Sequence, residues 1–165
     1  MASNSWLAGF LDADCNFYFN WALNKLGLPI SLQYYLRITQ RQQYHRASWL
    51  GTSYLVIMTM IAELFSTTVT LIDRTHRNGF RELAFLVRTA KFESNYAMLS
   101  YLSHYPLLTY KYRCPDIYAS VLQLSFTKAH KTADGNAMLT DLKAKSKLDP
   151  KYTLQHHLAN HFYKP

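Results

Sequence analysis

The sequence predicts one α+β domain, with helices on one side of a four-stranded antiparallel sheet. Three observations predict it. Residues 16–24 and 31–42 alternate apolar and polar side chains with period two. Residues 67–89 are rich in β-branched residues on either side of Asn78-Gly79, a hairpin loop signal. Between and after these lie apolar segments too long for edge strands, bounded by Pro and Gly. The expected order is α-β-β-α-β-β-α, then one more helix and a helical tail. Residues 1–147 form the domain and 148–165 the tail.

Taken in order, Ser5 is placed to cap a helix from Trp6 to about Asp12. In "NFYFNWALN" (16–24), Phe17, Phe19, Trp21 and Leu23 fall on one face, and Asn16, Tyr18, Asn20 and Asn24 on the other. "KLGLP" (25–29) is a turn. In "SLQYYLRITQRQ" (31–42), Leu32, Tyr34, Leu36 and Ile38 face inward, opposite Ser31, Gln33, Tyr35, Arg37 and Thr39. "SYLVIMTMIAELF" (53–65) reads as a buried helix. The second half of the 67–89 hairpin is apolar on both faces, so its register is open. Helices follow at 93–106, stopped by Pro106, and at 114–126, with Pro115 in the first turn. Two more are expected at 134–147 and 153–162.

Lys and Arg number 18 against 10 Asp and Glu, a net charge of +8, which suits a polyanionic partner. The two cysteines, Cys15 and Cys114, are far apart and in no CxxC pattern, which argues against a zinc site or a disulfide framework. No run of 18 apolar residues occurs, so no membrane span is expected. The opening "MASNSW" is too short to read as a signal or transit peptide.

The outer face of the first two strands carries Asn, Gln, Ser, Thr, Tyr and Arg, with no acid. Asn, Gln and Arg read base edges in a major groove. Tyr18 and Tyr35 on the same face would also suit stacking on single-stranded RNA. Asp12 and Asp14 stand at the end of the first helix, where the backbone carbonyls already carry partial negative charge. Cations belong there. A hard divalent ion held by carboxylate and carbonyl oxygens is one remedy.

These residues carry a resemblance. "LAGFLDADC" (7–15) closely resembles the signature of the LAGLIDADG homing endonucleases, departing sharply only at its last residue. "RITQRQ" (37–42) resembles the end of that family's second strand. "YPLLTYKYR" (105–113) resembles the segment that delivers a basic residue to the active site. Organelle-encoded members carry a run similar to Ser94, Asn95, Leu99, Tyr101, Leu102, Tyr105, Pro106, Leu107 and Lys111. The resemblance covers roughly residues 5–147.

It implies a LAGLIDADG endonuclease-like fold, in which the four-stranded sheet forms a saddle over the DNA major groove. The motif helix then packs on a second copy of itself through Leu7, Gly9, Phe10 and Ala13. With one motif in the chain, the resemblance implies a homodimer or dependence on another partner. The resemblance implies a catalytic set of Asp14, Gln40 and Lys111. Asp14 holds Mg²⁺, Gln40 orders solvent near the attacking water, and Lys111 stabilises charge on the phosphate. Asp12 supports the helix end. The implied DNA-reading positions are Asn16, Tyr18, Asn20, Asn24, Ser31, Gln33, Tyr35 and Arg37, the face that alternation also selects.

Cys15 replaces the family's Gly. If the residue after the helix needs φ > 0, a side chain there costs on the order of 1 kcal/mol and shifts Asp14. Two functions are therefore expected. The first is an intron-encoded, Mg²⁺-dependent DNA endonuclease of a mitochondrion or another organelle. The alternative is a catalytically inactive RNA-binding protein, either an intron maturase or a structural component of a mitochondrial ribosome bound to rRNA. His157 and His161, four apart, are expected to be a surface pair, and neither function needs a membrane.

Overall fold

The computed structural model describes residues 3–43 and 52–147. Helix α1 (Trp6–Asp14) runs directly into strand β1 (Cys15–Leu23), and β2 (Pro29–Arg41) returns antiparallel. Helix α2 (Leu55–Leu64) leads to the hairpin β3 (Val69–Thr75) and β4 (Arg81–Arg88). Helices α3 (Phe92–His104), α4 (Cys114–Phe126) and α5 (Ala133–Lys145) complete the described chain. The sheet order is β1-β2-β4-β3, antiparallel throughout. The expected tail helix at 153–162, with His157 and His161, lies outside the described residues.

The core lies between the sheet and the helices. Leu7 and Leu11 of α1, Phe19, Leu36, Ile38, Phe85 and Val87 of the sheet, and Met98, Leu102, Tyr118 and Val121 of α3 and α4 are all buried in it. Alternation therefore places the inner faces of β1 and β2 correctly, except Leu23, which is exposed at the strand end. The register of β4 is settled by its neighbours. Phe85 and Val87 stand beside Gln40 and Ile38 of β2, so they point inward with them. Helix α2 is buried on one side only, through Met58, Ile61 and Ala62, while Leu55, Val56 and Met60 are exposed.

The start of α1 departs from expectation. Ser5 occupies the cap position but makes no side-chain capping bond. Asn4 Oδ1 accepts from the Trp6 amide at 3.1 Å instead. The Tyr101 hydroxyl accepts from the Ala8 amide at 3.1 Å and donates to the Asn4 carbonyl at 2.8 Å. Helix α3 thus supplies a partner to the first turn of α1, where backbone amides lack helical partners. A second buried tie joins β2, β4 and α3. The Leu36 amide donates to Thr89 Oγ1 at 2.9 Å, and Thr89 donates to Asn95 Oδ1 at 2.8 Å.

The other end of α1 is also corrected. Cys15 has φ −86° and ψ 155°, extended backbone that any residue adopts, so the chain needs no glycine there. The helix ends because its backbone turns straight into β1. Burial pushes the Cys15 thiol up to about 12.

Candidate nucleic-acid interface and active site

Three segments meet at the C-terminal end of α1: the helix end, β2, and the loop between α3 and α4. The two aspartates do different work. Asp12 pins the loop: its carboxylate accepts from the Leu108 amide at 2.6 Å, the Thr109 amide at 3.2 Å and the Thr109 hydroxyl at 2.6 Å. A carboxylate bonded to two amides and a hydroxyl is a fixed structural group. Asp14 is exposed, and Gln40 Nε2 donates to its Oδ2 at 2.7 Å. Neither aspartate forms an ion pair with Lys or Arg among the described residues.

Lys111 answers the question posed by acids at a helix C-terminus. Its ammonium donates to the Asp12 carbonyl at 2.6 Å, with the Leu11 and Ala13 carbonyls at 3.4 and 3.5 Å. The residue is only 7% exposed. The cation that the helix end requires comes from the chain itself, so the aspartates alone do not demand a metal. Lys111 therefore sits inside the site but faces the helix backbone rather than solvent, which differs from direct phosphate contact.

The outer sheet face assembles as register pairs. Asn16 stands opposite Arg37, Tyr18 opposite Tyr35, Asn20 opposite Gln33, and Ala22 opposite Ser31. Asn16, Asn20, Ser31, Gln33 and Arg37 are exposed, and Tyr18 and Tyr35 are half-buried. Asn24 belongs elsewhere. Its Oδ1 accepts from the Leu26 and Leu28 amides, both at 2.9 Å, so it shapes the β1–β2 turn. Three further positions join the face through β2 and β4: Thr39, Arg41 and Arg88, the last directly opposite Arg37. Arg88 was hidden in sequence because both faces of 81–88 look apolar.

The outer side of α1 presents Trp6, Gly9, Phe10 and Ala13, at helical spacing. Trp6 is 50% exposed and stacks on Phe10 with ring centres 5.4 Å apart. A Cβ added at Gly9 would meet nothing within 4 Å. Leu7 does not belong to this side. It is fully buried in the core, because the helix turns its 7, 8 and 11 positions inward.

Asp14 lies on a ridge between two clefts. One, of about 450 Å³, runs along β1 and is lined by Cys15, Lys111, Cys114, Tyr118 and Lys143 among others. The second, of about 620 Å³, is lined by Gln40, Arg41, Phe80, Arg81 and Glu82 among others. No cluster of three or more His, Cys, Asp or Glu that could hold a metal exists among the described residues. None of their helices is long and apolar enough to cross a membrane.

An open antiparallel sheet with a basic, amide-rich outer face, and one exposed acid beside it at a helix tip, defines an α+β protein with a surface suited to a polyanion. The family model described as LAGLIDADG endonuclease matches residues 7–120, and the chain belongs to that family. Solved structures share the fold at low identity. The homing endonuclease I-TnaI is 16% identical, with a TM-score of 0.63, covering 94% of this chain and 95% of that one. I-SmaMI bound to an uncleaved DNA target with calcium ions is 22% identical, with a TM-score of 0.65, covering 94% of this chain and 49% of that one. The LAGLIDADG meganuclease I-CpaMI bound to uncleaved DNA is 18% identical, with a TM-score of 0.63, covering 95% and 48%. The chain thus spans about half the length of the last two and nearly all of the first. No curated protein sequence matches it.

Proposed function

We propose that the protein is a site-specific homing endonuclease that cleaves double-stranded DNA with Mg²⁺, acting as two copies in a mitochondrion or another organelle. The observation that carries this reading is Asp14: an exposed carboxylate at the end of the motif helix, oriented by Gln40 and free of any Lys or Arg partner among the described residues. A structural acid has its oxygens taken up by the chain's own donors, as the half-buried Asp12 has.

The donor set suits a hard cation. Mg²⁺ takes one or two carboxylates plus phosphate oxygens rather than a full protein cage. Among the described residues of one chain, the end of α1 offers one such carboxylate that is exposed, Asp14. The apolar side of α1 (Trp6, Gly9, Phe10, Ala13) supports a second copy, which would bring a second Asp14. When bound, the metal would polarise the phosphodiester and activate water. Gln40 keeps the Asp14 carboxylate turned outward. Lys111 offsets the negative helix end beneath it, so the site keeps an anionic group at its surface without destabilising α1.

The buried ammonium of Lys111 also supports the second reading, a binder that does not cut, since a lysine bonded to backbone carbonyls is not presented to a phosphate. One experiment separates the two. The purified chain is incubated with a randomised duplex DNA pool, with Mg²⁺ or with chelator, and new ends are sequenced. Mg²⁺-dependent cutting at one long sequence supports the endonuclease. Stoichiometric structured RNA co-purifying with the chain, with no DNA ends produced, overturns it in favour of the RNA-binding reading.

A further inference from the structure

The β1–β2–β4 register aligns four side chains across the outer face. The rings of Tyr18 and Tyr35 stack with centres 4.8 Å apart and 20° between planes. The Arg88 guanidinium lies over the Tyr35 ring, 5.3 Å from its centre. At the other end, Lys143 of α5 lies 5.6 Å from the centre of the Tyr18 ring and donates to the Phe19 carbonyl. Arg37 stands directly opposite Arg88, and both are exposed.

Like charges directly opposite on paired strands are unfavourable. Among the described residues no acid pairs with either arginine. The ion pairs of the described residues join Arg74 and His76 to Glu82, Arg81 to Asp73, and Lys145 to Asp141. None involves Arg37 or Arg88. A phosphate oxyanion between two guanidinium groups removes the repulsion, and the planar fork of arginine matches its geometry. The tyrosines have a different part. Each ring already stacks on the other and carries a cation, so neither is set out for an unpaired base. What the row does is hold Arg88 in place.

We infer that Arg37 and Arg88 form an anchor for a backbone phosphate of a bound duplex, with Tyr35 as the positioning residue for Arg88. The inference rests on the nucleic-acid reading above and deepens it. Arg37 then grips the backbone, which sets register and orientation, rather than a base edge, which sets sequence preference.

The test titrates the full chain against a short fluorescent duplex of arbitrary sequence, and against duplexes that the wild type selects from a randomised pool, over a series of salt concentrations. R88A and R37A each weaken binding to both kinds of duplex by the same factor, and each lowers the slope of log affinity against log salt by about one. The R88A Tm equals or exceeds that of the wild type, because a repulsion has gone. Y35F binds like the wild type, whereas Y35L reproduces the R88A loss.

An unchanged salt slope in R88A overturns the anchor. So does a loss confined to selected duplexes, a fall in the R88A Tm, or an altered sequence preference in Y35F. A wild-type chain that binds neither duplex at any salt overturns the parent reading and takes the anchor with it.

Discussion

Gln40 reaches across 26 residues of sequence to donate its amide to Asp14 at 2.7 Å. It is the one side chain that orients the Asp14 carboxylate among the described residues. Gln40 lies in the part of β2 that pairs with β4, opposite Phe85, so the bond ties a helix-tip acid to the sheet. The proposed chemistry depends on that tie.

Asp14→Asn is expected to abolish Mg²⁺-dependent cutting while sparing duplex affinity within about threefold, since an exposed amide replaces an exposed acid of the same shape. Gel-based cleavage and fluorescence anisotropy on the same preparation check both halves. Cutting that persists would remove Asp14 from the catalytic set.

Gln40→Ala frees the Asp14 carboxylate to rotate. The cutting rate is expected to fall by up to about a hundredfold, because small displacements of a reacting group are costly. Tm should barely change, as the lost bond is exposed. Single-turnover cleavage beside a thermal melt separates the two effects.

Lys111→Met leaves the Asp12 carbonyl without its ammonium donor and removes the cation that, among the described residues, meets the end of α1. A loss of about 1–3 kcal/mol in urea unfolding is expected. A lysine needed only to contact phosphate would leave stability unchanged when replaced.

Gly9→Leu tests self-association. Nothing stands within 4 Å of an added Cβ, so the fold of one chain is undisturbed. Leu is a better helix former than Gly by about 1 kcal/mol. Monomer stability should hold or rise while the association proposed through Trp6, Phe10 and Ala13 is lost. Sedimentation equilibrium reads the mass, and a denaturant melt reads the stability.

The buried thiols make stability depend on alkaline pH. Burial raises Cys15 to about 12 and Cys114 to about 11, from an ordinary 9.0. Both folded-state values lie above the unfolded value. The associated stability is therefore fully present below about pH 9 and lost as pH rises toward 11–12, by at most about 1.4 kcal/mol per unit for each thiol. Urea midpoints above pH 9 should fall less steeply in a Cys15→Ala/Cys114→Ala variant than in the wild type.

Much of this molecule could be read from the chain alone. Alternation in 16–24 and 31–42 separated the two faces of β1 and β2, because a pleated strand points successive side chains to opposite sides. The nine residues 7–15 marked the helix end that carries Asp14, and the Asn78-Gly79 turn marked the β3–β4 hairpin. These are local signals, written by steric period and turn chemistry over a few residues. Other features needed the chain folded. Asp12 and Asp14 look alike in sequence, yet one is bound by the 108–109 loop and the other is left exposed, because partners some 96 residues away decide between them. Lys111 could be expected near the site, but not that its ammonium would settle on the carbonyls of α1. Leu7 and Phe10 sit one turn apart, and only packing sends the first into the core and leaves the second on the outer side. The opposition of Arg37 and Arg88 exists solely in strand register, which long-range pairing sets. Period and propensity act between neighbours along the chain, whereas charge and hydrogen-bond partnership act between neighbours in space.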